Sequence, residues 1–514
     1  MILQGDKDFM ELVYKVKDRP PLGKLLVSAL QQLLAILAAT IAVPAIVGNG
    51  MSASAALFGA GVGTIVYLLF TKFKSPVFLG SSFAFLGSMA AAFAGGVSMS
   101  AGYLGLIIGA LFAGLVYVII SLIVKFAGVK WIDKLMPAVV IGPTVAIIGL
   151  SLAGNAIGDL MKGNVTKTVT ELVATIKEGS AVLETVESSV MLCSPYLALL
   201  CGLVTLAVVI VCSVYGKKTL KLFPFVIGIL AGYALAAIFT GIGFATKVDA
   251  LKIIDFSKFK NMQWYPEFTF LTAFKGGYTF GDGGNIGSYL GTIAVAYIPV
   301  AFVVFAEHIA DHKNLSSIID QDLLKEPGLS RTLLGDGVGS ICGAFFGGCP
   351  NTTYGESVGC VAITGNASVI TILTTAIMAI VASFLAPFVT FLATIPSCVM
   401  GGVCVALYGF IAVSGLKMIQ KVDLGENKNL FVVSVILIAG VGGMVLTFGK
   451  ITITEVACAL ILGILVNLLC SIGKKGEPEL PAADAATADT AVAAEMMEEA
   501  SDTSVADEEN GSVE

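Results

Sequence analysis

Between two strongly apolar segments lies GCPNTTYGESVGC, Gly348 to Cys360, which carries a proline, amide and hydroxyl side chains and one carboxylic acid, Glu356, with no Lys or Arg nearby. Pro350 and the run Asn351-Thr352-Thr353 favour extended or turn backbone over continuous helix. At membrane depth such backbone is tolerated only where protein buries it or where it lines a cavity, because lipid cannot satisfy its hydrogen bonds. An acid there costs at least about 2.5 kcal/mol to insert, so it is a functional candidate by default.

The rest of the chain supplies the membrane context. Of 514 residues 56% are hydrophobic and 13% charged, with a mean hydropathy of +0.92, values that point to a polytopic membrane protein. Apolar runs long enough to cross roughly 30 Å of hydrocarbon as helices recur throughout. The 58 glycines suit helices that pack closely against one another. The net charge of −6 splits unevenly: twelve Asp or Glu and no Lys or Arg follow Gly476, which leaves the body at +6. That acidic, Ala-rich tail has too few large apolar residues to offset chain entropy and reads as disordered and cytoplasmic. The ten cysteines form no CxxC pair and read as small buried hydrophobes. No nucleophile–base pair, Walker motif or metal-ligand spacing is present, which argues against an enzyme, a cofactor or an ATP-driven pump. GAGVGT, Gly59 to Thr64, resembles part of a dinucleotide fingerprint but lacks the strand–helix unit, and reads as a helix-packing surface.

Apolar segments number about fourteen. The expected organisation is a cytoplasmic N-terminus over residues 1–23 and a first repeat of seven segments over 24–243. An extracytoplasmic loop over 244–287, a second repeat over 288–472 and the acidic cytoplasmic tail over 473–514 follow. A cytoplasmic N-terminus places Lys72, Lys74, Lys125, Lys130, Lys134, Lys217, Lys218, Lys221, Lys417, Lys421, Lys428, Lys474 and Lys475 inside, as the positive-inside tendency requires. Seven crossings reverse the entry side of the second half, so the two repeats are inverted, an arrangement that puts a site near the midplane between interrupted helices. The third segment, with VFLGSSFAFLGS, and the tenth, with PNTTYGESVG, hold equivalent positions. Both are polar and poor in helix formers, and the two are expected to pair as short strands followed by half-helices with free N–H donors.

Four acids fall within segments: Glu307 and Asp311 on the eighth, Asp336 on the ninth and Glu356 on the tenth. In FAEHIADH the four-residue spacing puts Glu307 and Asp311 on one helix face, where two carboxylates without a cation require a protonated or hydrogen-bonded form. A buried structural hydrogen bond from Glu307, to His308 or to a neighbouring backbone group, is the plainer alternative. Asp336, in LLGDGVGS, fits an interhelical hydrogen bond or proton coupling equally well.

AEHIADH, GVGSICGAFFGGCPNTTYGESVGCVAITG, VFLGSSFAFLG and DRPPLGKLLVSALQQLLAILAATIAVP together resemble the nucleobase:cation symporter-2 family, also called the nucleobase–ascorbate transporters, and within it the bacterial branch that carries uracil. The likeness runs from about Asp18 to Ile472. It implies an all-α polytopic membrane protein of fourteen segments in two inverted repeats, with a core domain (segments 1–4 and 8–11) and a gate domain (5–7 and 12–14). It also implies short antiparallel strands in segments 3 and 10 and a homodimer in the bacterial inner membrane. By motif, Glu307 and Glu356 would bind the nucleobase through their carboxylates, and backbone N–H groups at Phe83 and Gly355 would meet its carbonyls. Ala39, Ser82 and Tyr354 would line the pocket, with Glu307, Asp311 and Asp336 as proton-coupling residues. Uracil, planar and neutral with N–H beside C=O, is complementary to that set of acceptors and donors, and Phe83 and Tyr354 could flank its ring. Asp311 and the GDG around Asp336 also occur in purine-transporting relatives, and Ser357 stands where the family commonly has Asn. A xanthine or urate symporter is therefore the runner-up, and a channel or non-transporting sensor the alternative from another class. No nucleic-acid partner is expected.

Overall fold

The computed structural model describes residues 12–128, 137–177, 180–216, 220, 223–281, 284–448 and 451–472. The acidic tail and the basic positions Lys130, Lys134, Lys217, Lys218, Lys221, Lys474 and Lys475 lie outside the described residues.

Helices dominate. The chain opens with α1 (Leu22–Val47) and α2 (Ala53–Phe70), the latter capped where Ser52 Oγ accepts the Ala55 N–H, a bond worth about 1 kcal/mol. Next come β1 (Leu79–Ser81), a 3₁₀ turn (Phe83–Phe85) and the short α3 (Leu86–Ala91). The 29-residue α4 (Met99–Ala127), α5 (Ala138–Ser151) and α6 (Ala153–Leu160) precede a hairpin of β2 (Thr166–Lys177) and β3 (Ser180–Met191). Then follow α7 (Pro195–Tyr215) and α8 (Pro224–Thr246), each with Pro in its first turn, where a missing N–H costs nothing. After α9 (Thr269–Ala273) comes the longest helix, α10 (Ile286–Ile319), started by a reciprocal capping box of Asn285 and Ser288. The second half continues with α11 (Leu329–Gly347), β4 (Asn351–Thr353), α12 (Gly355–Thr364), α13 (Val369–Ala382) and α14 (Ala386–Thr394). It closes with α15 (Ser397–Gln420), α16 (Asn427–Val441), β5 (Leu446–Phe448), β6 (Ile451–Ile453) and α17 (Glu455–Ser471).

Among the described residues, eight helices are long and apolar enough to cross a bilayer, and the pair α13 and α14, bent by 82°, adds a ninth candidate. α5 and α6 together, Ala138–Leu160, form one of the eight; the third and tenth expected segments are strand plus half-helix, and the last two are the shorter apolar helices α16 and α17. The hairpin of β2 and β3, twelve residues a side, occupies what the hydropathy pattern marks only as a loop.

Two compact units emerge. One comprises Met1–Ser151, Glu267–Ile380 and Phe410–Glu514, and the other Leu152–Pro266 and Val381–Gly409. In the first unit β1 and β4 pair antiparallel, with Leu79 opposite Thr353, Gly80 opposite Thr352 and Ser81 opposite Asn351. A three-residue ladder cannot hold itself together, and helix side chains anchor it on both sides. Thr64 Oγ1 accepts the Leu79 N–H at 2.9 Å and donates to Leu79 O at 3.1 Å, while Asn351 Nδ2 donates to Gly59 O at 3.1 Å. Glycine makes the fit possible: a Cβ on Gly63 would lie 2.4 Å from Asn351 Nδ2, and one on Gly59 would lie 2.5 Å from Gly343 O. The GAGVGT stretch is thus a packing surface for α11 and β4, as expected.

Candidate functional site

Both broken segments place a helix N-terminus beside the strand pair. After β1, Ser82 N–H donates to Pro350 O at 2.9 Å and the chain turns into the 3₁₀ turn at Phe83. After β4, Tyr354 N–H donates to Phe78 O at 3.2 Å and α12 begins at Gly355. The first N–H groups of any helix lack intrahelical acceptors, so each half-helix presents donors at its start.

Against α12 stands α10. Thr353 Oγ1 donates to Asp311 Oδ2 at 2.5 Å, and a Cβ on Gly355 would lie 3.9 Å from Asp311 Oδ1. Glu307, one turn earlier on α10, is within electrostatic reach of Asp311, Glu356 and Asp336. The three nearest acids are not sealed in: Glu307 and Gly355 are exposed, and Asp311 and Glu356 are half-buried. Among the described residues none of these three acids is paired with Lys or Arg, and Glu307 has no hydrogen-bond partner. The structure therefore brings Glu307, Asp311, Glu356 and Gly355 to one partly exposed polar opening where α10 meets the start of α12 in the first unit, and leaves Phe83 half-buried in the turn after β1.

Other predicted residues sit behind this surface. The Tyr354 ring packs on Gly80, where a Cβ would come within 2.3 Å of ring carbons, and its hydroxyl donates to Ser81 O at 2.8 Å. Tyr354, Ser82 and Ala39 are 4%, 2% and 2% exposed. All three are buried, and of them Tyr354 ties the start of α12 to β1.

Asp336 turns away to a different partner. Its Oδ2 lies 2.7 Å from His308 Nδ1, while its Oδ1 has no partner in a fully buried setting. His308 Nε2 lies 2.9 Å from Thr332 Oγ1. His312, one turn on, donates from Nδ1 to His308 O at 2.8 Å and lies 2.6 Å from the Tyr67 hydroxyl. The two imidazoles stack with centroids 4.0 Å apart. So α10 carries two i, i+4 pairs: Glu307 and Asp311 at the opening, and His308 and His312 buried in contact with α11 and α2. Within the plainer expectation, the Glu307–His308 hydrogen bond is not formed, and His308 meets Asp336 instead. Only a second i, i+4 polar pair in an apolar helix could have signalled it.

A separate hollow of about 320 Å³, lined in part by Tyr14, Lys24, Gln31, Thr364 and Asn366, lies at the far end of α12 from Glu356. It contains none of the site acids. Among the described residues no group of His, Cys, Asp and Glu could hold a metal ion.

The chain matches a family model described as "Permease family" over residues 23–195 and 171–448. It is 38% identical to a uracil permease of Bacillus caldolyticus, covering 89% of this chain and 94% of the relative. Identity is 36% to the uracil permease of Bacillus subtilis (90% and 96% covered) and 34% to that of Escherichia coli K12 (92% and 97%). Among solved structures, the transmembrane domain of the cyanobacterial bicarbonate transporter BicA superposes with a TM-score of 0.54 at 15% identity, covering 90% of this chain and 99% of that one. Murine Slc26a9, an anion transporter in the inward-facing state, gives a TM-score of 0.56 at 13% identity, with 89% and 69% covered. These two likenesses concern the fold alone.

Proposed function

The chain belongs to the permease family, the nucleobase:cation symporters its motifs resemble, and from that premise we propose that it imports uracil by proton symport through alternating access. It is a multi-pass membrane protein and a transporter rather than an enzyme. Relatives that share a third or more of its residues over nearly their whole length are uracil permeases. The observation that carries the reading is the polar opening itself, where carboxylates on α10 and α12, none paired with Lys or Arg among the described residues, stand beside the N-terminus of the half-helix α12.

Its chemistry suits a neutral base. Glu307 and Glu356 accept from the ring N–H groups, and the backbone N–H groups of Phe83 and Gly355 donate to the ring carbonyls. A base that supplies N–H donors takes the place of the missing cation. Proton loading on Glu307, assisted by Asp311 with its bond from Thr353, neutralises like charge and admits the substrate. Release of that proton inside then weakens the site. Asp336, held by His308 on the buried side of α10, couples the same helix to α11. The protein works in the bacterial inner membrane with both termini cytoplasmic and assembles as a homodimer.

Uptake of labelled uracil into proteoliposomes with an imposed pH gradient tests this reading. Accumulation that collapses with the gradient is the expected result. Accumulation of xanthine instead overturns the substrate, dependence on a sodium gradient overturns the coupling ion, and a current without substrate identifies a channel.

A further inference from the structure

Glu356 occupies the second position of α12, a helix of ten residues, and so short an element needs outside help to hold a carboxylate in one direction. The next residue, Ser357, is fully buried, and three elements converge on its hydroxyl. Phe78 N–H, the first donor beyond the paired residues of β1, donates to Ser357 Oγ at 3.0 Å. Gln32 Nε2, from α1, donates to the same oxygen at 2.5 Å and to the Ser357 carbonyl at 3.2 Å. A carbonyl only accepts, so that side-chain atom of Gln32 is its NH₂ group. Two donors use the accepting capacity of the hydroxyl fully. Gln32 is 3% exposed, and no other partner of its NH₂ group appears among the described residues.

A second attachment lies on the N-terminal side of Glu356. The hydroxyl of Tyr354, the residue before α12, donates to Ser81 O at 2.8 Å and ties the start of the helix to β1. The Ser357 and Tyr354 bonds thus hold α12 on either side of Glu356.

We propose that the Gln32–Ser357–Phe78 clamp is a positioning device that sets the direction of the Glu356 carboxylate and thereby the affinity of the site for its nucleobase. It rests on Glu356 being a substrate ligand, as read above. Removing the Ser357 hydroxyl leaves the buried Phe78 N–H without that acceptor, leaves Gln32 only its longer bond to the Ser357 carbonyl, and loosens the first turn of α12. Because either substitution removes the Gln32–Ser357 Oγ bond, the two losses overlap rather than multiply.

Labelled-uracil uptake into proteoliposomes by Ser357→Ala, Gln32→Leu, the double variant and Ser357→Thr, each with KM and Vmax resolved, is the test. Each single variant is expected to raise KM about tenfold, the loss of one bond to a buried acceptor, with Vmax within about twofold. The double variant should equal the worse single one, and Ser357→Thr, which keeps the hydroxyl, should restore KM. Ser357→Cys keeps the volume but accepts weakly, so it delivers the KM effect even where alanine lowers the folded yield. Multiplicative effects in the double variant, a fall in Vmax at unchanged KM, or wild-type kinetics in Ser357→Cys would overturn the clamp. Should the wild type take up xanthine and not uracil, the proposed substrate fails while the same comparison, run with xanthine, still decides the clamp.

Discussion

The helix pair α7 and α8 and the strand crossing at β1 and β4 draw on the same small residues, yet they use them differently. In α7 and α8 glycines let helices close up: a Cβ on Gly232 would lie 1.8 Å from Thr205 Oγ1, and one on Gly228 2.4 Å from Val209 Cγ2. Within the pair, hydroxyls such as Thr205, to Cys201 O, and Ser213, to Val209 O, turn back on their own helix, each at about 2.9 Å or less. At the strand crossing the hydroxyls and amides reach across elements, Thr64 to β1, Asn351 to α2, Thr353 to α10 and Ser357 to β1 and α1. An unbroken helix satisfies its own backbone and asks nothing of its neighbours. A broken one exports that demand, and the residues that meet it also fix the acids of the site.

The comparison can be broken most severely at an acid. Glu307→Gln should lower uracil affinity roughly 10- to 100-fold, the equivalent of a charge-assisted hydrogen bond of about 1.5–3 kcal/mol, and leave residual uptake indifferent to the pH gradient. Isothermal binding and proteoliposome flux read the two halves of that statement. Asp336→Asn removes the titratable carboxyl behind α10 while leaving a group that can bond His308; gradient-driven accumulation should fail while uracil still raises the melting temperature. A smaller but more pointed contrast pairs Gly80→Ala with Gly232→Ala. Both overpack, at about 1–3 kcal/mol, and both should lower the melting temperature. Only Gly80→Ala, which displaces the Tyr354 ring, should also raise KM. Equal effects on KM would erase the distinction between the two regions.

The smallest effect is expected at Glu326, an exposed residue whose carboxyl Lys74 holds below the usual carboxylate range. Whatever this pair adds is present above the range of a free glutamate and fades as pH falls through the lowered value. Solvent screens it, and Glu326→Gln should leave both melting temperature and uptake unchanged.

The breaks at β1 and β4 were legible because Gly80, Ser81, Pro350 and Asn351 disfavour helix locally, and the acids were legible because charge is costly among apolar residues. The partners of those acids were not. His308 and Asp336 are 28 residues apart, and Gln32 and Ser357 are 325 apart, so hydropathy and spacing within a segment could not join them. The hairpin of β2 and β3 escaped for a different reason. Its Thr- and Val-rich strands fall below the hydropathy that marks a span, and their β-branched residues, Val169, Val173, Thr175 and Ile176 among them, were the available signal.

The central claim is that Glu356, aimed by the first turn of α12, binds a nucleobase. The most direct test is the melting temperature of the purified protein and its Glu356→Gln variant across a panel of nucleobases, since a true ligand stabilises by mass action. Uracil should raise the melting temperature of the wild type and leave that of the folded variant unmoved. Equal stabilisation of both by uracil would remove Glu356 from the site and contradict the account.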